Sequence, residues 1–304
     1  MVSIIIPYYN RPIKLQRAID SIQNQTYKDF EIIIVDDASD IPFNISPSKN
    51  VSYIRCQENK GPGVARNIGL QKAKGEFVVF LDSDDYWNEN FLKKSVAELK
   101  KYSSVIMVYA IGYSVDENEE EIKELKKVFS KSNKILPTIL QYGRPWFTSA
   151  CVWRKELIKD LKWIEARAWE DYAFDVSAAI NCNQIYAINE ALVYYDATGI
   201  DKLSNQNTYN SALEKNASIK YIAERISTSP FFYDTLIRKH MVKLILNNTI
   251  ALLVNDVKNY KLYSNNIGML KVYNGIFMSF LVFIFTHINK KLGLPLLRRL
   301  RKKI

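Results

Sequence analysis

Short apolar runs alternate with amphipathic segments through the first third of the chain. The apolar runs are rich in Val, Ile and Phe and predict four strands, at Val2–Pro7, Phe30–Val35, Val51–Arg55 and Glu76–Leu81. Between them, three segments have a helical pattern: one that begins near Pro12, Val64–Lys74 and Asn90–Lys101. Apolar residues recur with helical spacing in the first of these, at Leu15, Ala18, Ile19 and Ile22. This alternation favours an α/β fold, in which helices cover both faces of a mostly parallel sheet.

The pattern changes from α/β to helical in the second half of the chain. Further strands are predicted at Val105–Tyr113, Phe147–Trp153, Ile185–Ile188 and Ala191–Tyr195. Trp169-Glu170-Asp171 predicts the start of a helix that ends near Asn181, because acidic side chains in a first turn suit the helix dipole. From about Thr208 onward the pattern is helical. We therefore expect an α/β domain at 1–210 and a helical region at 211–304.

The positive charge of the chain is concentrated at its C-terminal end. The formal net charge is +10, but eight basic and no acidic residues occur from Lys271 onward. Without them, 34 basic residues stand against 32 acidic ones, and no basic stripe with interleaved aromatic residues remains. This distribution argues against a nucleic-acid partner. Three widely spaced cysteines, Cys56, Cys151 and Cys182, show no metal-ligand or disulfide spacing and favour a reducing compartment.

The tail at about 272–304 combines an apolar stretch with basic clusters. Gly275–Ile288 is dense in Ile, Phe, Leu and Val, and Lys290-Lys291 and Arg298–Lys303 follow it. The apolar stretch is short for a membrane span, which needs about 20 apolar residues. The combination predicts a helix that lies on an anionic membrane surface; a helix packed on the protein body is the alternative. Met1 leads directly into the first strand, without a signal-peptide pattern, so we expect a cytoplasmic protein bound peripherally to the inner face of the cell membrane.

Acidic residues follow two predicted strands at their carboxyl ends, where sheets of this class bind ligands. In Asp82-Ser83-Asp84, carboxylates at i and i+2 can turn toward one site. Such hard oxygen ligands suit Mg²⁺ or Mn²⁺, which also bind the phosphate oxygens of a substrate. The alternative is an acidic turn that caps a helix near Asn88. In Asp36-Asp37, a carboxylate can accept a hydrogen bond from uracil or guanine, and an Asx-turn is the alternative.

Two further segments suggest a ligand-binding loop and a general base. Gly61-Pro62-Gly63 precedes a helix, whose N-terminus favours anions, and glycine lets the backbone approach a ligand closely. The alternative is a packed turn with Arg66 in an internal ion pair. In Glu170-Asp171, a carboxylate can act as a general base toward a hydroxyl of high pKa, and a favourable helix N-terminus is the alternative.

Taken in order, these segments resemble glycosyltransferase family 2, whose members have the GT-A fold. The resemblance covers roughly residues 1–200 and rests on Val2–Asn10, Ser21–Tyr27, Val35–Ser39, Asn59-Lys60-Gly61 with Ala65-Arg66-Asn67-x-Gly69, Gly75–Asp85 and Trp169-Glu170-Asp171. Each motif alone is weak, but the ordered set is specific. The resemblance implies a GT-A domain with a C-terminal helical extension. It also implies an inverting, nucleotide-sugar-dependent enzyme of the bacterial surface-polysaccharide type.

The resemblance implies a role for each matching residue. Residues on the nucleotide of the donor, for which we expect a UDP-sugar, would be Pro7, Tyr9, Asp37, Gly61 and Arg66. Asp82 would face the ribose or the metal, and Asp84 would bind the Mg²⁺ or Mn²⁺ that bridges the diphosphate. Asp171 would accept the proton of the acceptor hydroxyl as this oxygen attacks the anomeric carbon. Inversion of an α-linked donor would give a β-linked product.

The chain departs from the family pattern after its last predicted strand. Many relatives have an Arg or His there that holds the diphosphate, whereas residues 194–204 contain neither, and Lys202 is the expected substitute. The Gln-x-x-Arg-Trp motif of processive members is missing from the sequence, so we expect one sugar per turnover. Trp146, Trp169 and Glu170 are expected to border the acceptor, with core packing as the alternative for the tryptophans.

The tail and the resemblance together predict a glycan or lipid-linked glycan as acceptor. Two other functions are compatible with parts of the sequence: a nucleotidyltransferase and a non-catalytic, membrane-tethered nucleotide-sugar-binding protein. The first would normally have a Gly-rich loop after its first strand, where this chain has Pro7-Tyr8-Tyr9-Asn10. A binding protein would have little use for Asp84 as a metal ligand together with Asp171 as a general base.

Overall fold

The computed structural model describes residues 1–45, 49–115, 121–125, 133–196, 209–255 and 260–273. The chain forms two compact units, and each is built from separate segments. The first unit comprises Met1–Ile135, Arg144–Glu165 and Asn181–Asp201. The second comprises Leu136–Gly143, Ala166–Ile180 and Lys202–Ile304. The second unit thus includes two central segments besides the C-terminal residues.

The first unit contains one mixed sheet. Its strands are β1 Val2–Tyr8, β2 Phe30–Asp36, β3 Val51–Arg55, β4 Phe77–Phe80, β5 Tyr86–Trp87, β6 Met107–Val115, β7 Glu121–Leu125, β8 Cys151–Arg154 and β9 Ile185–Asp196. Their order is β3-β2-β1-β4-β8-β6-β9-β5, and β7 pairs with β6. The pairs among β3, β2, β1 and β4 are parallel, as is β6 with β9, whereas β8 is antiparallel to both of its neighbours. The carboxyl ends of β1, β2 and β4 therefore lie at the same edge of the sheet.

Helices connect the strands and make up most of the second unit. They are α1 Pro12–Gln23, α2 Pro62–Lys72, α3 Phe91–Lys101, α4 Thr138–Tyr142, α5 Lys155–Ile158, α6 Glu170–Asn181, α7 Tyr209–Ser227, α8 Thr235–Asn255 and α9 Tyr260–Val272. Short 3₁₀ turns occur at Thr148–Ala150 and Pro230–Tyr233. Each helix of the described residues is too short or too polar to cross a membrane. The apolar segment Gly275–Ile288 lies outside those residues.

The core of the first unit forms where the sequence pattern places it. All seven residues of β1 are buried, as expected of a strand covered on both faces. The apolar face of α1 is buried at the four predicted positions, Leu15, Ala18, Ile19 and Ile22. Helix α2 packs so closely on β1 that a Cβ atom on Gly69 would lie 2.3 Å from Ile5 Cγ2. Only glycine allows this approach.

Two expectations about local structure, and one of the alternatives, are wrong. The predicted strands Ile185–Ile188 and Ala191–Tyr195 are one strand, β9, because a register shift opposite Ala110–Gly112 accommodates the exposed Asn189 and Glu190. In the predicted strand Phe147–Trp153, residues Thr148–Ala150 form a 3₁₀ turn, and only β8 is extended. The acidic turn after β4 does not cap a helix near Asn88, since it leads into β5, and α3 begins at Phe91.

Candidate active site

The loop that follows β1 has an unusual backbone conformation at Asn10. Tyr8 is buried, whereas the next side chain, Tyr9, is 43% exposed. Asn10 has a φ of 50°, in the left-handed region that non-glycine residues rarely adopt. Its backbone N–H donates to Ser39 Oγ at 3.0 Å, and its side chain exchanges two hydrogen bonds of 2.8 Å with Asp40. The loops after β1 and β2 are therefore tied together, and strain of this kind is common at binding sites.

The two acids at the end of β2 act on different partners. Asp36 is buried and accepts hydrogen bonds from the backbone N–H of Ser39 at 2.8 Å and from the hydroxyl of Tyr53 at 2.5 Å. Burial and the hydrogen bond to Asp36 raise the pKa of Tyr53 to about 12, so Tyr53 stays a donor. Asp36 thus has a local structural role, as the Asx-turn alternative predicts, although it accepts the backbone N–H three residues on rather than two.

Asp37 orients the glycine loop that precedes α2. Its two oxygens accept the backbone N–H groups of Lys60 at 2.9 Å and Gly61 at 2.7 Å. Gly61 has a φ of 90°, a conformation in which a side chain would be strained. The Asp37 carboxylate therefore fixes the position of the glycine loop.

Arg66, which is predicted to contact the donor nucleotide, is buried in an internal ion pair. Its Nη2 lies 2.6 Å from Asp82 Oδ1, and its guanidinium carbon lies 4.4 Å from the centre of the Trp163 ring. The carbonyl and N–H of Trp163 both hydrogen-bond the side chain of Asn67, each at 2.8 Å. The internal ion pair that the sequence left open for Arg66 is thus present, and Asp82 is held by it. No sequence pattern marked Trp163.

The segment after β4 brings three carboxylates together. Asp84 Oδ2 pairs with Arg11 Nη1 at 2.5 Å. Asp85 is fully buried, and its Oδ2 accepts the hydroxyl of Ser149 at 2.6 Å. Burial, followed by the charges of Asp84 and Asp82, raises the pKa of Asp85 well above its usual range. Ser149 Oγ also accepts the backbone N–H of Asp82 at 3.1 Å, so the chain Asp82–Ser149–Asp85 fixes the conformation of the segment.

Two basic side chains of α1 connect this segment to β9. Arg17 Nη2 donates to the carbonyl of Asp84 at 2.8 Å and lies 2.7 Å from Asp196 Oδ2. Lys14 Nζ pairs with the same Asp196 oxygen at 3.0 Å, and the Arg17 guanidinium stacks over Tyr86 at 4.5 Å. Sequence reasoning missed these residues. Their one visible signal is that Lys14 and Arg17, at i and i+3, share a helix face.

Asp82 and Asp84 fit a divalent cation that takes other ligands from its substrate. Both are hard oxygen donors at one sheet edge, but each already has an arginine partner, so a cation would displace that arginine or bind the other oxygen. In the described ranges, no three or more His, Cys, Asp or Glu side chains are grouped to enclose an ion. Mg²⁺ at sites of phosphoryl chemistry is typically held by one or two carboxylates plus substrate phosphates, and the donor set matches that type of site.

The predicted base lies in the second unit, at the start of α6. Trp169 directly precedes the helix with a φ of 64°, and its carbonyl accepts the N–H of Ala173 at 3.1 Å. Its ring stacks on Tyr172 with centroids 4.8 Å apart, and Lys215 Nζ lies 5.9 Å from the ring centre. Glu170 and Asp171, in the first turn of α6, are half-buried. The predicted helix start is confirmed, with a strained residue directly before it.

Of two further predicted site residues, the structure describes Trp146 but not Lys202. Trp146 is 3% exposed and packs on Tyr109, with ring centroids 5.0 Å apart, so the core-packing alternative describes its environment. Lys202 lies outside the described residues.

Comparisons by sequence identify relatives over most of the chain. A family model described as "Glycosyl transferase family 2" matches residues 3–161. An uncharacterized glycosyltransferase of Nostoc sp. is 31% identical over 255 residues, which are 78% of this chain and 76% of the relative. The poly(ribitol-phosphate) beta-N-acetylglucosaminyltransferase TarS of Staphylococcus aureus is 27% identical over 208 residues, which are 64% of this chain and 35% of TarS.

Comparisons of structure confirm the predicted GT-A fold. The crystal structure of S. aureus TarS residues 1–349 with UDP-GlcNAc matches with a TM-score of 0.65 and 22% identity, over 90% of this chain and 80% of that chain. A mannosyltransferase from Pyrobaculum calidifontis, solved with GDP-Man and Mn²⁺, matches with a TM-score of 0.53 and 12% identity, over 99% of this chain and 84% of that chain. At these identities the likeness concerns the fold alone.

Proposed function

This chain belongs to glycosyltransferase family 2 and is a glycosyltransferase, and from that premise we propose that it transfers a sugar from a nucleoside-diphosphate sugar to a glycan hydroxyl with inversion. The observation that carries the proposal is the pair Asp82 and Asp84, held by Arg66 and Arg11 at the carboxyl end of β4. A doubly charged diphosphate needs cationic and metal partners there. Family membership favours this reaction over nucleotidyl transfer and over a purely binding role.

The donor nucleotide is proposed to bind along the ends of β1 and β2. Pro7, Tyr9, Asp37 and Gly61 contribute to this edge of the first unit. The strained Asn10 and the two hydrogen bonds from backbone N–H groups to Asp37 hold the edge in place before a ligand arrives, which lowers the entropic cost of binding. We propose a UDP-sugar, because TarS was solved with UDP-GlcNAc.

The diphosphate is proposed to bind beside Asp84 together with a divalent cation. When bound, Mg²⁺ or Mn²⁺ supplies positive charge where the leaving diphosphate becomes more negative. Asp84 would hold the ion, with Asp82 beside it, and Mn²⁺ in the P. calidifontis enzyme supports this choice. The hydrogen bonds from the Asp82 backbone N–H to Ser149 and from Ser149 to Asp85 hold the chain on both sides of Asp84. Lys202 stays a proposed diphosphate contact on sequence grounds.

Asp171 is proposed to be the general base. Asp171 lies in the first turn of α6, where an acidic side chain suits the helix dipole. It would accept the proton of the acceptor hydroxyl as the oxygen attacks the anomeric carbon and the C–O bond to the diphosphate breaks. One displacement inverts this carbon, so an α-linked donor gives a β-linked product. Trp169 and Glu170, which flank Asp171 in sequence, are proposed to contact the acceptor sugar.

The acceptor is proposed to be a lipid-linked glycan in the synthesis of a cell-surface polysaccharide, at the cytoplasmic face of the membrane. TarS acts on poly(ribitol-phosphate), and the apolar and basic tail of this chain suits an anionic membrane surface. A chain that ends at Val272 should therefore remain in the supernatant when membranes are pelleted. Pelleting equal to that of the full chain would remove the tail from membrane binding.

Release of free nucleoside diphosphate from a panel of sugar nucleotides tests the donor and the metal together. We expect release from one UDP-sugar with Mn²⁺ and none with EDTA, and faster release with a membrane extract than with free saccharides. Unchanged release in EDTA would contradict the metal site. Equal rates with both acceptor sources would contradict the lipid linkage.

Asp171→Asn tests the general base. The amide keeps the shape of the side chain but cannot accept the proton, so we expect kcat to fall roughly 10²- to 10⁴-fold at an unchanged KM for the donor. Initial rates at varied donor concentration measure both constants. Glu170→Gln, one position away, is the control for a general loss of charge in the first turn of α6. A larger loss in Glu170→Gln than in Asp171→Asn would transfer the role to Glu170.

A further inference from the structure

The two carboxylates of Asp82-Ser83-Asp84 are held by arginines that differ in freedom. The Arg66 side chain on Asp82 is 4% exposed and stacks on Trp163. The Arg11 side chain on Asp84 is 37% exposed. A buried, stacked guanidinium is fixed by its surroundings, whereas the guanidinium of Arg11 is open to solvent and can leave Asp84, whose own side chain is 17% exposed. Of the two carboxylates, Asp84 therefore has the replaceable partner.

The backbone of Arg11 is nevertheless well placed. It follows Asn10, which is fixed by hydrogen bonds to Ser39 and Asp40, and α1 begins at the next residue, Pro12. The side chain thus extends from a rigid loop at the donor edge of the sheet and reaches Asp84 across a separation of 73 residues in sequence. A long side chain in this position can change its ion-pair partner by rotating its own bonds, without a change in the backbone.

We propose that Arg11 is an exchangeable counter-ion of Asp84, which pairs with this carboxylate before the donor binds and with the donor diphosphate afterwards. The inference rests on the proposed function, because it requires Asp84 to hold a divalent cation. The cation and the guanidinium would compete for the same carboxylate. The displaced guanidinium has a planar set of N–H donors that matches a phosphate group. Arg11 would then supply a positive charge for which the sequence alone suggested only Lys202.

Binding of Mn²⁺ to the full chain, measured by electron paramagnetic resonance of the free ion, tests the exchange without turnover. Arg11→Gln removes the charge but keeps a polar side chain. Without nucleotide, we expect this variant to bind Mn²⁺ about two- to five-fold more tightly than wild type, the effect of removing an ion pair of ordinary surface strength. It should bind UDP about ten-fold more weakly in the presence of Mn²⁺, because a charge-assisted hydrogen bond is lost. Arg11→Lys should restore part of both effects.

Arg55→Gln is the matched control. The Arg55 side chain is 38% exposed and pairs with Asp36 rather than with Asp84, so its loss should leave Mn²⁺ affinity unchanged. Unchanged or weaker Mn²⁺ binding by Arg11→Gln, or an equal gain in Arg55→Gln, would overturn the proposal. If wild type and Arg11→Gln both bind UDP but neither binds Mn²⁺, the metal part of the proposed function fails, and the exchange at Asp84 fails with it.

Discussion

Two regions of the molecule, the carboxyl edge of the sheet and the helices α7, α8 and α9, bury polar side chains of different kinds. In the first unit, buried ionisable residues gather near the carboxyl ends of the strands, and we call Asp36, Asp37, Arg66, Asp85 and Asp196 the charged cluster. In the second unit, the helices α7, α8 and α9 bury neutral side chains against one another. We call Asn216, Asn248, Thr249 and Asn266 the amide cluster.

The amide cluster is satisfied largely within itself. Asn216 Oδ1 accepts from the side-chain amides of Asn248 and Asn266, both at 2.9 Å. Asn266 also donates to Thr249 Oγ1 at 2.9 Å. Each of the three helices contributes, so the cluster fixes their positions relative to one another without any ligand.

The charged cluster instead holds loops and other charges at an open sheet edge. Asp37 binds backbone N–H groups, and Arg66 and Asp85 support the segment Asp82-Ser83-Asp84. Burying a charge is costly unless it is paired, and neutral residues would fix loops at lower cost. We therefore expect changes at the charged edge to affect catalysis, and changes in the amide cluster to affect stability alone.

Among substitutions in the two clusters and the acids they support, Asp84→Asn should have the largest effect. We expect donor turnover to fall roughly 10²- to 10³-fold, the typical loss when one electrostatic contact to the transition state is removed. Its ion pair with Arg11 is partly exposed, so the free energy of unfolding should change by less than about 1 kcal/mol. Nucleoside diphosphate release and urea denaturation measure the two quantities. Loss of stability with normal turnover would reverse the distinction between the clusters.

Arg66→Met should affect both properties. Methionine is of similar length but leaves Asp82 without its cation and Trp163 without its stacked guanidinium. We expect a loss of about 2 kcal/mol in the free energy of unfolding, below that of a fully buried pair because Asp82 is 33% exposed. The KM for the donor should rise as Asp82 moves. Arg66→Lys keeps the charge but not the planar stacking, and should have an intermediate stability if both contacts contribute.

Asn216→Ala should have the smallest effect, confined to stability. The substitution removes the oxygen that accepts two buried amide donors, so we expect a loss of roughly 1–2 kcal/mol in the free energy of unfolding. Below the unfolding temperature, kcat and the KM for the donor should match wild type. Asn210→Ala, at an exposed position of the same helix, is the control and should be neutral. A fall in kcat of Asn216→Ala would show that the amide cluster also serves catalysis.

Much of the candidate site could be located from sequence because its residues follow strands. The apolar runs placed β1, β2 and β4, and parallel pairing then brings Asn10, Asp37 and Asp82 to one edge. The pairing of Ser149 with Asp85, 64 residues apart, has no local signal, since serine is common in any loop. The stacking of Trp163 on Arg66 is equally invisible, because a lone tryptophan reads as a core residue.

By itself, the sequence determined the α/β class, the start of α6 and the position of the acids at the strand ends. These depend on local spacing, in which apolar side chains recur at two or at three to four residues. Only the tertiary structure decided the partner of each acid: Arg66 on Asp82, Arg11 on Asp84, and Arg17 on Asp196, 179 residues away. The sequence does not show which arginine pairs with which aspartate. Which cation reaches which carboxylate depends on how the sheet brings distant segments together, and burial then decides whether the pair is fixed or exchangeable.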